Sequence, residues 1–276
     1  MGTKKYKPVT ASLRQRRVND YNDLTETLPY KPLVVKKLKK AGRNNSGSIT
    51  VRRRGGENKR HYRLIDFKRK KKDVVGVIKT IEYDPNRTAY ISLVFFKDGE
   101  KKYVITPNNA KIGQQIVSGD TVSIKVGNTL PLKKIPVGSS IYNLELHINK
   151  GAQLVRSAGV SAVLMGKHEG YVTVKLPSGE VRLIHENCEA TLGQVANTEH
   201  RNCVVGKAGV NRKLGKRPKV RGAVMNAADH PHGGGEGRAP VGQSGPRTPW
   251  GKPTLGYKTR KQSKRNNRFI VSRAKK

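Results

Sequence analysis

The stretch VVGVIKTIEY at residues 74–83, followed by AYISLVFFKDGEKKYVITP at residues 89–107, decides the fold. Both runs are rich in β-branched and aromatic residues, which favour pleated strands. Asp84-Pro85-Asn86 separates the two runs and Asp98-Gly99 interrupts the second. Residues of these types form the tight turns between paired strands. We therefore predict short antiparallel strands joined by hairpins.

A second set of strands follows a connection rich in glycine and proline. Its runs are SSIYNLELHI, VSAVLMG, YVTVKL and EVRLIHEN, and Pro177-Ser178-Gly179 predicts a turn between the last two. Each set has about the number of strands that closes a small barrel and so removes exposed sheet edges. We predict two barrels in tandem, with a break near residues 126–131. One short helix is predicted at residues 191–195, and no long amphipathic helix.

Charge is distributed unevenly along the 276 residues. The chain has 57 Lys plus Arg against 19 Asp plus Glu, a formal net charge of +38. Residues 1–72 carry 23 basic and 5 acidic side chains and residues 201–276 carry 20 and 2, so each end has a net charge of +18. Residues 73–200 have a net charge of only +2. Because so large an excess repels itself unless a polyanion neutralises it, we predict a nucleic-acid partner.

The two ends offer little apolar surface to bury. Residues 36–72 mix Gly, Asn and Ser with cations, and GGGEGRAPVGQSGPRTPWGKP precedes KTRKQSKRNNRF near the C-terminus. Such segments become ordered only against a partner that supplies negative charge. We therefore predict a mainly β chain in four parts: an extended basic N-terminal arm (1–60), a first barrel (61–126), a second barrel (127–200) and an extended basic C-terminal arm (201–276).

Several classes of protein are excluded by composition. No apolar run approaches the roughly 18 residues of a transmembrane helix, and the start MGTKKYKP lacks the apolar stretch of a signal peptide. The two cysteines, Cys188 and Cys203, are too few for a disulfide framework and lack the paired spacing of a zinc site. We interpret both as ordinary thiols and expect a cytosolic protein.

The basic runs indicate phosphate as the partner group. Arg52-Arg53-Arg54 and residues 68–72 are too dense for solvated helix faces, because neighbouring like charges destabilise one another without counter-charges. A solubility or localisation tag is the alternative, which the recurrence of cations at both ends disfavours. Aromatic residues are only 5% of the chain, which argues against a stacking platform for single strands. We expect recognition of the shape and backbone of folded RNA.

A loop at residues 226–238, NAADHPHGGGEGR, contains the densest cluster of unusual residues. His230 and His232 could ligate a metal with Asp229 or Glu236, or His230 could act as a general base. However, alternate residues in a glycine-rich loop give no rigid ligand shell, and no third His or Cys lies at a familiar zinc spacing. We favour a loop whose polar side chains hydrogen-bond RNA or its own backbone, without a metal.

At this loop the resemblance to a known family becomes specific. RPKVRGAVMNAAD, continuing into HPHGGG at residues 230–235, resembles the signature of the universal large-subunit ribosomal protein family L-two (large-subunit protein two). Other stretches resemble its bacterial form and extend the similarity over nearly the whole chain: GRNNSGSITVR (42–52), YRLIDFKR (62–69), EYDPNR (82–87), GNTLPLKKIPVGS (127–139), QLVRSAG (153–159), ATLG (190–193), GKAG (206–209) and TPWG (248–251).

The resemblance implies both fold and function. It implies an OB-like barrel followed by an SH3-like barrel, and primary binding of 23S-type ribosomal RNA with support for subunit association, tRNA binding and peptide-bond formation near the peptidyl transferase centre. It further implies RNA contacts by Arg87 of the DPNR turn and Arg156 of the RSAG run, and a link between His230 and peptidyl transfer. Because the chemistry belongs to the RNA, we expect His230 to support local RNA geometry rather than to catalyse.

The predicted RNA-binding residues come from the basic runs, from these motifs and from the loop. They are Arg43, Arg52, Arg53, Arg54, Arg69, Arg87, Arg156, Arg221, Asn226, Asp229, His230, His232 and Arg238.

Three classes of function compete: a ribosomal scaffold, an RNA-modifying enzyme and a non-specific packaging protein. An enzyme needs convergent titratable groups, which the sequence offers only at residues 226–238. A packaging protein binds according to phosphate count alone, whereas a scaffold prefers one folded RNA.

We expect a scaffold that is not an enzyme and has no cofactor apart from magnesium ions that accompany the RNA. Its expected partners are neighbouring ribosomal proteins and, through an intersubunit bridge, the small subunit, but neither a membrane nor a second copy of the chain. The lack of a transit peptide favours bacterial cytoplasm over an organellar copy.

Overall fold

Strands make up most of the regular structure. The computed structural model describes residues 2–261 and 263–273, with 29% of residues in strands and 9% in helices. In chain order the strands are β1 (Thr3–Lys5), β2 (Arg17–Asn19), β3 (Val34–Lys36), β4 (His61–Arg63), β5 (Gly76–Glu82), β6 (Ile91–Phe96), β7 (Lys101–Ile105), β8 (Gln115–Ile116), β9 (Thr129–Pro131), β10 (Ser140–Tyr142), β11 (Leu144–Glu145), β12 (Ala152–Leu154), β13 (Ala162–His168), β14 (Tyr171–Lys175), β15 (Val181–His185), β16 (Glu189–Leu192) and β17 (Ile270–Ser272).

Helices are few and short. Within the described residues there is one α-helix, α1 (Ala208–Lys213), and no helix there has the length and apolar character needed to cross a bilayer. The 3-10 helices span Lys31–Leu33, Leu132–Lys134, Thr198–Asn202, Gly222–Val224 and Arg265–Phe269.

The first large sheet is antiparallel, in the order β7-β6-β5-β8. Its β6–β7 hairpin turns at Asp98-Gly99, where Gly99 has a φ of +83°, so the predicted hairpin is confirmed. Alternate residues of β6 face opposite sides: Ile91 and Leu93 pack with Tyr103, whereas Val94 packs with Ile78. Both faces of this sheet are therefore buried.

The covering of this sheet includes residues of the N-terminal segment. Leu24 packs against one face, and Tyr30 and Leu33 pack against the other. The buried Tyr103 hydroxyl accepts a hydrogen bond from the Tyr30 amide at 2.7 Å and donates one to Glu82 Oε2 at 2.7 Å. Part of the predicted N-terminal arm thus packs on the first sheet, and the four-part division of the chain stays a prediction.

The second large sheet is antiparallel in the order β17-β15-β14-β13-β10-β16-β9. Its core is the largest among the described residues and contains inward-facing residues of neighbouring strands, among them Ile141, Leu164, Val172, Val174 and Ile184. The predicted turn at Pro177-Ser178-Gly179 joins β14 to β15 and is confirmed by their antiparallel register. The fold class is that predicted, mainly β and rich in barrels, an OB-like barrel followed by an SH3-like one.

The predicted helix at residues 191–195 is wrong. Glu189–Leu192 forms strand β16, which lies between β9 and β10. The buried hydroxyls of Thr191 and Thr129 hydrogen-bond across the β16–β9 pair at 2.9 Å. A β-branched residue fits this pleated, buried position, so the cross-strand pairing overrides the local helical tendency.

The chain divides into two compact units. The barrel unit contains residues 2–38, 59–208 and 268–273, and the arm unit contains Lys39–Asn58 and Gly209–Asn267 apart from residue 262. Residues 274–276, the end of the predicted C-terminal arm, lie outside the described residues.

Backbone hydrogen bonds join the two segments of the arm unit although they are distant in sequence. The Gly55 amide donates to the Gly215 carbonyl at 3.1 Å, and the Arg217 amide donates to the Arg53 carbonyl at 3.1 Å. No hydrophobic side chain among the described residues of this unit is buried. The arm unit therefore has backbone order without an apolar core.

Candidate nucleic-acid interface

The DPNR turn after β5 is organised by a buried carboxylate. The Asp84 side chain is 0% exposed and accepts hydrogen bonds from the Asn86 amide at 2.9 Å and from Arg87 Nε at 2.6 Å. Arg63 Nη1 lies 3.8 Å from Asp84 Oδ1, the oxygen that accepts the Asn86 amide. Because a buried carboxylate requires such partners, Asp84 fixes the direction of the Arg87 side chain.

Arg87 and Arg156 meet on one aromatic ring. Their guanidinium carbons lie 5.6 Å and 4.6 Å from the centre of the Phe67 ring, a distance at which a cation is attracted to the π-face. Arg156 is exposed, and its Nη1 donates to the Ala152 carbonyl at 3.2 Å. The fold therefore brings together two predicted RNA-binding arginines. We name Phe67, Arg87 and Arg156 the Phe67 cluster.

Arg69 lies in a different environment. Its residue is only 7% exposed, and its Nε has no hydrogen-bond partner among the described residues. It lines a small internal cavity together with Glu145 and Glu189. Arg69 is thus separate from the exposed cations, and its contact with RNA stays a prediction.

The basic run of the N-terminal segment lines a concave surface of the arm unit. Arginines dominate a pocket of about 450 Å³, and the described residues that line it include no carboxylate. We name it the arginine pocket; its arginines are Arg43, Arg52, Arg53, Arg54 and Arg217. Arg53 Nη2 donates to the Val220 carbonyl at 3.3 Å, which fixes one of these side chains. Guanidinium groups that line one concave surface suit phosphate oxygens, which accept bidentate hydrogen bonds.

The loop at residues 226–238 is held by its own backbone. The amides of Asp229 and His230 donate to the Asn226 carbonyl, and the Gly233 amide donates to the His230 carbonyl at 2.8 Å. A β-carbon at Gly233 would lie 2.2 Å from the Asn226 carbonyl oxygen, so this turn requires glycine. The loop has a defined path despite its glycine content.

The two histidines of the loop pack on one another. Their ring centroids are 4.7 Å apart, and His230 Nδ1 accepts a hydrogen bond from the His232 amide at 3.1 Å. His232 Nε2 accepts from the Arg247 amide at 2.9 Å. His230 is 8% exposed and lies against Gly222, where a β-carbon would come within 2.4 Å of its ring.

These surroundings keep His230 neutral. Desolvation, His232 and Arg52 together lower the pKa of His230 from its usual value. Since Nδ1 already accepts a hydrogen bond, neutral His230 carries its proton on Nε2 and presents a donor there. No group of three potential metal ligands occurs within residues 2–261 and 263–273.

The remaining predicted residues of the arm unit are exposed. They are Arg221, Asn226, Asp229 and Arg238. One residue that sequence reasoning missed is Trp250, whose ring lies 5.3 Å from the Arg52 guanidinium carbon. Its signal was present in the TPWG motif, but the scarcity of aromatic residues argued against stacking.

An arginine-lined pocket on a basic unit without an apolar core suits a protein that binds the phosphate backbone of a nucleic acid. Two family models match the chain: "Ribosomal Proteins L2, RNA binding N-terminal domain" over residues 30–118, and "Ribosomal Proteins L2, C-terminal domain" over residues 125–251. The chain belongs to the ribosomal L2 family. It is therefore a structural, RNA-binding protein of the large ribosomal subunit, where it binds ribosomal RNA.

Proposed function

We propose that this protein is a primary binder of 23S-type ribosomal RNA and organises RNA near the peptidyl transferase centre. In that role it supports subunit association, tRNA binding and peptide-bond formation. The observation that carries the proposal is the arm unit, which combines a defined backbone path with no buried apolar side chain among its described residues. A unit of this kind needs an external partner to stabilise it.

The charge of the arm unit identifies the partner group. Residues 39–58 and 209–267 hold 20 basic and 3 acidic side chains, a net charge of +17. Phosphates neutralise such an excess, and the arginine pocket offers converging donors for them. The Phe67 cluster offers a second set of donors on the barrel unit. Two separate sets of positioned arginines favour a folded RNA over a single extended strand.

The loop at residues 226–238 supports a positioning role rather than a catalytic one. His230 is buried against Gly222, and one of its nitrogens is occupied by the His232 amide. A general base needs an accessible nitrogen within hydrogen-bond reach of the reacting proton. The remaining Nε2–H is a donor, which can hold an RNA oxygen in place. We therefore propose that the chain is not an enzyme and that the RNA supplies the chemistry.

The wider assembly follows from this role. We propose that the protein contacts neighbouring ribosomal proteins and, through a bridge, the small subunit, and that it acts in bacterial cytoplasm as a single copy without a membrane partner. Support for the bacterial assignment comes from the resemblance of EYDPNR and related motifs to the bacterial form. The only metal ions proposed are magnesium ions that accompany the RNA.

The test is binding of the purified protein to fragments of large-subunit RNA across a salt series, with random RNA of equal length as control. We expect one folded fragment to be preferred at every salt concentration. We also expect log K to fall with log salt by about 0.7 to 0.9 per phosphate contacted. Equal affinity for all fragments and for random RNA at moderate salt would contradict the proposal.

A further inference from the structure

Trp250 and Arg52 form an aromatic and cationic pair at the surface of the arm unit. Trp250 is 74% exposed, and the Arg52 guanidinium carbon lies 5.3 Å from its ring centre. An indole ring has a large apolar face, and covering it is strongly favourable. Its exposure beside a cation leaves the face of the ring accessible to a partner.

The backbone around Trp250 is fixed. The Thr248 amide donates to the Lys252 carbonyl at 2.8 Å, and the Gly251 amide donates to the Thr248 carbonyl at 2.9 Å. Arg247 Nη1 donates to the Gly251 carbonyl at 2.8 Å. The turn that carries the indole therefore presents it in a defined position.

Arg52 links the indole to the arginine pocket, since it both lines the pocket and contacts the Trp250 ring. We propose that Trp250 and Arg52 form a stacking site for an unpaired nucleobase of the RNA, with the phosphate of the same strand segment held in the arginine pocket. This inference rests on the proposed function in binding large-subunit RNA and adds to it a position where a base, rather than backbone, is bound.

The positive charge around Trp250 favours a nucleotide, rather than an apolar protein surface, as the group that covers the indole. The arm unit has a net charge of +17, and the pocket beside the indole is lined by five arginines. A nucleotide supplies both a π-face for the indole and an anion for the arginines, and base–aromatic stacking tolerates any base. An apolar protein surface would leave these guanidinium groups without counter-charges.

The chain contains one tryptophan, so emission excited at wavelengths that tyrosine does not absorb reports on this site alone. The full-length protein is titrated with its preferred large-subunit RNA fragment and, separately, with inorganic polyphosphate, which supplies phosphates without bases. We expect RNA to quench the tryptophan emission and polyphosphate to leave it largely unchanged. Equal quenching by polyphosphate, or no change at saturating RNA, would overturn the stacking site.

Substitutions provide a second measurement. Trp250→Leu should weaken binding of the RNA fragment on the order of tenfold, because leucine has no π-face, whereas Trp250→Phe should retain most of the affinity. The control is Tyr257→Leu, which removes another exposed aromatic ring of the arm unit. We expect a smaller loss there. Wild-type affinity in Trp250→Leu, or an equal loss in Trp250→Phe and Trp250→Leu, would contradict the proposal.

The stacking site and the scaffold function can be tested separately. If the wild-type protein binds every RNA equally but each one quenches Trp250, the stacking site is supported and the scaffold function fails. If fragment selectivity persists with unchanged emission, the scaffold function is supported and the stacking site is wrong.

Discussion

Arg87 and Arg156 show how single side chains are positioned in this protein. Both contact the Phe67 ring, but only Arg87 is paired with the buried Asp84. The sequence motifs identified both arginines as candidates, because DPNR and RSAG resemble a known family. Their meeting on Phe67 could not be predicted, since it depends on packing between segments far apart in the chain.

This difference predicts two separable phenotypes. Arg156→Ala should weaken binding of the preferred RNA fragment by about 1–3 kcal/mol and change the free energy of unfolding by about 0.5 kcal/mol or less. Arg87→Ala should weaken RNA binding similarly and also lower the free energy of unfolding by about 2–4 kcal/mol, because it leaves a buried carboxylate poorly paired. Filter binding and urea unfolding measure the two effects. Wild-type fragment selectivity in both variants would show that these arginines are not RNA contacts.

His230 is a second single residue whose position leads to a testable prediction. His230→Ala should leave assembly of reconstituted large subunits largely intact and lower their rate of peptide-bond formation, because the buried ring positions the loop rather than the fold of the barrels. The control is His200→Ala, a histidine outside the loop. Full peptide-bond formation by subunits containing His230→Ala would remove this assignment.

At the level of elements, alternation and turn residues predicted every described strand of five residues or more. The runs at residues 74–83 and 89–107 became β5, β6 and β7 because their pattern matches a sheet with two buried faces. The short strands β1 to β4, β8, β9, β12, β16 and β17 were missed. For β16 and β17 the reason is that they are defined by partners distant in sequence. The covering of the first sheet by Tyr30 and Leu33 was missed for the same reason.

The contact between this covering segment and the first sheet can be tested at Tyr103. Its hydroxyl joins the Tyr30 amide to the buried Glu82 carboxylate. Tyr103→Phe should lower the free energy of unfolding by about 1–3 kcal/mol, because it leaves buried groups without a partner. The matched control is Tyr142→Phe, since the buried Tyr142 hydroxyl has no hydrogen-bond partner among the described residues. That variant should be neutral or slightly stabilising.

The pH dependence of Tyr103→Phe follows from Glu82. Burial raises the pKa of Glu82 above 4.5, and the Tyr103 hydroxyl opposes this rise. Because the folded-state pKa of Glu82 is raised, the contribution of Glu82 to the free energy of unfolding is complete below pH 4.5. This contribution is lost as the pH rises through the folded-state pKa. The variant raises that pKa further, so its loss of stability should be larger at pH 7 than at pH 4. An equal loss at both pH values in urea unfolding would contradict this explanation.

The whole molecule combines two units with different sources of stability. The barrel unit has extensive buried apolar cores, whereas the described part of the arm unit has none and carries a net charge of +17. Segment charges predicted basic segments with little apolar surface at both ends of the chain, but residues 2–38 lie in the barrel unit. The pairing of residues near 55 with residues near 215 was not predicted, because glycine-rich and charged segments carry no pattern that identifies a partner.

Amide hydrogen exchange of the free and RNA-bound protein tests most directly whether RNA completes the arm unit. In the free protein, amides of β6 and β14 should exchange slowly, whereas those of residues 39–58 and 209–267 should exchange rapidly. Binding of large-subunit RNA should slow exchange in the arm unit on the order of tenfold or more and change the barrel amides little. Arm-unit amides as protected as those of β6 in the RNA-free protein would contradict the account.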